Sequence, residues 1–73
     1  MKFTLKVFSG RKVVRRSFTK SARRFTHFLR TLNLENGRLK ALIKVEYEDG
    51  PTNEGEYTDK SEVMKAFRAF CEK

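Results

Sequence analysis

Twice in this chain, a stretch with apolar residues at every second position gives way to one with apolar residues at every third or fourth. Residues 2–8 (KFTLKVF) set Phe3, Leu5 and Val7 on one side and Lys2, Thr4, Lys6 and Phe8 on the other. Such alternation marks a strand buried on one face. Ser9-Gly10 supplies a tight turn, because glycine accepts positive φ, and residues 11–18 read as the returning strand. From Thr19, a hydroxylated N-cap, a helix is predicted to about Leu32. Ala22, Phe25, Phe28, Leu29 and Leu32 then share one helix face, and Asn36-Gly37 stops the helix and turns the chain.

The pattern restarts in residues 39–47 (LKALIKVEY), with Leu39, Ala41, Ile43, Val45 and Tyr47 inward and Lys40, Leu42, Lys44 and Glu46 outward. The densest turn signal follows, Asp49-Gly50-Pro51-Thr52-Asn53, then a short strand over residues 54–57. Thr58 or Asp59 caps a second helix running to about Glu72, and Asp59 with Glu62 has capping-box spacing. Its inward residues are Val63, Met64, Phe67, Phe70 and Cys71.

The expected fold is therefore α+β: ββαββα, a four-stranded antiparallel sheet with two helices packed on one face. A chain of 73 residues makes a single domain, 1–73. The halves 1–35 and 38–73 read as an internal ββα repeat, with LKVFSG echoed by IKVEYEDG and SFTKSARRFTHF by EYTDKSEVMKAF. With Ser9-Gly10 as the turn, Leu5 faces Val14, Lys6 faces Val13 and Arg15 joins Lys6 on the solvent face. Lys12 and Arg16 then fall on the core side, where they must snorkel from an edge strand unless a bulge shifts the register. Phe18 falls inward with them, so six of the seven phenylalanines face the core and only Phe8 lies outside.

Charge is distributed unevenly. Residues 11–30 hold eight Lys or Arg and no acid, and the first acidic residue of the chain is Glu35. Residues 1–37 carry ten basic side chains against one acid, net +9, while residues 38–73 carry seven against eight, net −1. Self-repulsion on this scale opposes folding, and a core does not require it. On the first helix Lys20, Arg23, His27 and Arg30 line up opposite Phe25, with Arg24 on the flank. The equivalent face of the second helix holds Glu62, Lys65, Ala69 and Glu72, an ordinary mixed surface. The fold can thus be built with a neutral helix exterior, and the basic one points to a polyanion.

The expected function is a small, non-enzymatic nucleic-acid-binding protein that grips the phosphate backbone through a basic hairpin and the first helix. The contact residues are Lys6, Arg11, Lys12, Arg15, Arg16, Lys20, Arg23, Arg24, His27 and Arg30. Lysine and arginine bind phosphate by releasing condensed counterions. Arg23 and Arg30 are placed to fork onto guanine, and no Asn or Gln on the stripe favours adenine. DNA is placed ahead of RNA. The outer sheet face, with Lys2, Lys6, Phe8, Arg11, Arg15, Lys40, Leu42 and Lys44, is a second candidate surface, but one aromatic is a thin platform for stacking bases. The alternative function is a protein-binding module or inhibitor docking on an acidic protein partner through the same charges.

Other chemistry finds little support. His27 is the only histidine and sits among cations, and Cys71 reads as a packing residue. Phosphate-loop, nucleophile-elbow and paired-cysteine patterns are absent, so no cofactor is expected. Glu46, Glu48, Asp49, Glu54 and Glu56 crowd the second hairpin without metal-loop spacing; no metal is expected, and the cluster reads as a solvated turn, with repulsion of phosphate, orienting the basic half towards it, as the functional alternative. One cysteine rules out an intrachain disulfide and fits a reducing interior. No apolar run approaches the roughly 20 residues of a membrane span, no leader is visible, and the first helix turns its apolar face inward. The expectation is a cytoplasmic protein without a membrane partner. Oligomeric state, strand order and the register of the first hairpin are left open by the residues.

Overall fold

The computed structural model describes residues 1–71. Its elements run β1 (Lys2–Ser9), β2 (Lys12–Thr19), α1 (Ala22–Arg30), a short 3-10 turn (Glu35–Gly37), β3 (Lys40–Glu46), β4 (Thr52–Tyr57) and α2 (Lys60–Cys71). The strand order is β2-β1-β3-β4, antiparallel throughout. The helices share one core, in which Phe25 and Leu29 of α1 and Val63 and Phe67 of α2 meet the same face of the sheet. This is the expected α+β arrangement.

The cleanest alternation in the sequence belongs to the two central strands. Leu5 of β1 faces Ile43 of β3, flanked by the pairs Phe3–Val45 and Val7–Ala41, and all six are buried. The register is symmetric about Leu5–Ile43, with one hairpin partner strand outside each central strand. Three rings tie the layers together. Phe3 of β1 stacks on Phe25 of α1 at 5.3 Å between centroids, and Phe67 of α2 meets them at 5.8 and 5.1 Å. Aromatic burial of this kind stabilises by about 1.5–3 kcal/mol per ring.

The first hairpin departs from the expected register. Its turn is Gly10-Arg11, with Ser9 opposite Lys12 and Phe8 opposite Val13. The pairing then shifts by one, so Val7 faces Arg15, Lys6 faces Arg16 and Leu5 faces Ser17. Val14 is the additional residue of this β-bulge. Arg15 therefore lies on the helix side and is half-buried, whereas Arg16 is exposed beside Lys6 on the open side. Arg11 leaves the strand for the turn. Lys12 keeps its helix-side position, exposed at the start of β2. Phe18, expected in the core, stands opposite Thr4 on the open side and is 56% exposed.

The reason is a contest between two misplacements. Without the bulge, Arg16 would oppose Leu5, which is fully buried. Burying an unpaired charge costs several kcal/mol, more than the roughly 1.5–3 kcal/mol gained from burying a phenylalanine. The bulge moves Arg16 off Leu5, seats small Ser17 there and leaves Phe18 in water; in exchange Arg15 comes onto the helix side opposite Val7, nearer the hairpin end, where it is only half-buried.

The helix ends also differ from expectation. Ser21, not Thr19, caps α1: its Oγ accepts from the Arg24 amide at 3.3 Å. Thr19 closes β2, its Oγ1 accepting from the Ser21 amide at 3.1 Å. The helix stops before Leu32, with Thr31 Oγ1 donating to the His27 and Phe28 carbonyls at 3.1 Å, and Ala22 is exposed. Leu32 and Leu34 still reach the core from the connection that follows. There Glu35, Asn36 and Gly37 all adopt positive φ, at 50°, 57° and 91°. The second hairpin pairs from Thr52 onward, with Asn53 Nδ2 donating to Tyr47 Oη at 3.0 Å. Ahead of α2, Asp59 Oδ1 accepts from the Ser61 amide at 3.0 Å. Cys71 is exposed, not packed inward. The helix end expected near Glu72 lies outside the described residues.

Candidate nucleic-acid interface

The helices divide the sheet between them: α1 packs over β2, and α2 over β3 and β4. The basic residues are consequently neighbours in space, not only in sequence. Arg23, Arg24, His27 and Arg30 are all exposed on α1. Lys20 is exposed in the connection one residue before the Ser21 cap. At the sheet edge Lys12 and Arg15 lie on the helix side and Arg16 on the open side, while Arg11 marks the turn. Lys6 is half-buried beside Arg16. The alternation along β2 thus carries positive charge around the edge, linking the α1 stripe with the open face. The sequence placed these two surfaces on opposite sides of the sandwich; the β2 edge is what joins them.

Carboxylates are held elsewhere. Among the described residues the ion pairs are Met1 amino to Glu48 at 3.3 Å, Lys44 to Glu46 at 3.4 Å and Lys40 to Glu56 at 3.6 Å. All use acids of the second hairpin, and none involves residues 11–30. Glu54 and Glu56 stand opposite Lys44 and Leu42 on the far strand of the sheet. The open face is therefore graded, cationic at β2 and β1 and neutral to acidic at β3 and β4.

The helix that carries the stripe is fixed to the core on its other face. Phe25 and Leu29 anchor the opposite face of the helix in the core. At its C-terminal end, Lys60 Nζ donates to the Arg30 carbonyl, fastening α1 to the start of α2. The Glu62 and Lys65 side of α2 is exposed as expected, and Glu72 lies outside the described residues.

Sequence reasoning set Phe8 and Val13 outward but missed Phe18, expected in the core, and Val14, expected opposite Leu5. Phe18, Val14 and Val13 are 56%, 50% and 37% exposed, and half-buried Phe8 stands opposite Val13. The only warning was the awkward inward placement of Arg16 that an unbroken hairpin imposes. Among the described residues, no group of three or more His, Cys, Asp or Glu gathers as metal ligands. No described helix is long and apolar enough to cross a membrane. The chain matches no protein-family model, and comparison with curated proteins and with solved structures finds no similar protein.

Proposed function

We propose that this protein acts by binding nucleic acid, not by catalysis, and that its basic half holds the phosphate backbone. One observation carries the reading. The cations of residues 11–30 have no carboxylate partner among the described residues, although the same molecule pairs Lys40, Lys44 and its amino terminus with acids. An unneutralised band of this kind raises local counterion concentration, and phosphate binding releases those ions. The guanidinium groups of Arg16, Arg23, Arg24 and Arg30 supply forked donors suited to phosphate oxygens. The acids of the second hairpin repel the backbone and orient the opposite half towards it.

The test is a titration of random-sequence duplex and single-stranded DNA and RNA at about 50 and about 200 mM salt, a range over which several phosphate contacts lose 10³–10⁵ in affinity. The expected result is binding with a steep log–log salt dependence. Changing Arg23, Arg24 and Arg30 together to Gln is expected to flatten that dependence by roughly 2–3, near 0.7–0.9 per lost contact. Absence of binding at the lower salt overturns the reading and favours an acidic protein partner.

A further inference from the structure

The strand register arranges the open face in three rows. Phe18, Thr4 and Lys44 form the first, Arg16, Lys6 and Leu42 the second, and Val13, Phe8 and Lys40 the third. Successive rows on one face are roughly 6.8 Å apart, so Phe18 and Phe8 are separated by on the order of 13 Å along the strands. Between them lie Lys6 and Arg16, neither of which has a carboxylate partner among the described residues. Aromatic, cation pair and aromatic thus follow one another along the β2–β1 half. The β3–β4 half of the same face lacks this pattern: its lysines are paired with Glu46 and Glu56, and both tyrosines pack against the core on the helix side.

We propose that this half of the open face is a binding surface for single-stranded nucleic acid, with bases stacked on Phe18 and Phe8 and phosphates held by Lys6 and Arg16. The proposal rests on the nucleic-acid reading and specifies its substrate. Paired bases in a duplex have their faces occupied by neighbouring base pairs, so an exposed ring on a flat sheet has nothing to stack on there. An unpaired strand offers a π-face at every base and a negative charge at every phosphate, matching both residue types in the rows. A second copy of this chain is a poorer occupant. Self-pairing along the β2 edge would set Lys12, Arg15 and Arg16 against their own counterparts.

The chain contains no tryptophan, so a Phe18→Trp variant carries a single indole reporter on the proposed surface. Its fluorescence is expected to be quenched by an oligothymidine strand and unchanged by a blunt duplex of equal charge. Phe18→Leu and Phe8→Leu keep an apolar side chain but remove the ring. Each is expected to weaken single-strand binding on the order of tenfold, within the range that aromatic removal produces, and to leave duplex binding unaltered. Circular dichroism confirms that each variant retains the fold. Equal affinity of the leucine variants and the parent for the single strand overturns the stacking surface, while retained salt-dependent binding keeps the nucleic-acid reading. Failure of the parent to bind any strand overturns both. A sedimentation-detected dimer that the Phe18→Leu change dissociates overturns the proposal in favour of self-association.

Discussion

A single missing side chain shapes the last strand. Gly55 lies opposite Ile43 on β4, and a Cβ there would collide with Tyr57 Oη and come within 2.7 Å of Cζ and 2.9 Å of Cε2. The Tyr57 ring folds back over the glycine and covers backbone that would otherwise meet water, a known use of aromatics beside strand glycines. Gly55→Ala is expected to destabilise the protein by about 1–3 kcal/mol, the range for overpacking. In a Tyr57→Ala background most of that loss is expected to vanish, because the clash has no partner; urea midpoints of the four proteins in this cycle measure the coupling. Equal losses in both backgrounds would place the strain in the backbone.

At the scale of elements, stability and charge compete on α1. The helix has no acid in its first turn, although a negative charge there interacts favourably with the helix dipole, by about 0.3–1 kcal/mol. Ser21→Asp keeps an oxygen acceptor at the cap and adds that charge beside Lys20, Arg23 and Arg24. It is expected to raise the urea midpoint and weaken nucleic-acid binding at low salt, with the binding difference shrinking as salt screens it. Unchanged binding would move the interface away from this end of the helix. The same helix shows what the sequence made legible. Phe25 and Leu29 announced the buried face, and with it the basic one, because helical geometry leaves little choice once two anchors are fixed. β1 and β3 were equally clear, since neighbours on both sides and a core beneath enforce strict alternation. Edge strand β2 obeys weaker rules. Val13 and Val14 give no local sign of a bulge, and only the cost of setting Arg16 against Leu5 signals that one is needed; Arg15, Arg16 and Phe18 were misplaced as a result. Thr19 and Ser21 are both competent caps, and the backbone conformation at the end of β2 chooses between them. The order of the strands depends on long-range pairing that local periodicity does not encode.

For the molecule as a whole, the central fact is that two strand–strand–helix halves meet along one antiparallel seam, β1 against β3, symmetric about Leu5–Ile43. The chain reverses between those halves through residues Glu35–Gly37, whose positive φ angles curl it back on itself. Gly37, at 91°, needs a conformation that a β-branched residue strongly disfavours. That curl has a consequence for copy number. If the link is forced open, the seam is still satisfied by another molecule, whose β3 offers β1 the same partners that its own β3 did. Gly37→Val is therefore expected to yield an exchanged dimer, each half completed by its counterpart in the other chain. Size-exclusion chromatography across a concentration series would reveal it, and a variant that stays monomeric would show the link to be a passenger. On this expectation three left-handed residues, outside both helices and every strand, set whether the sandwich closes within one polypeptide or between two.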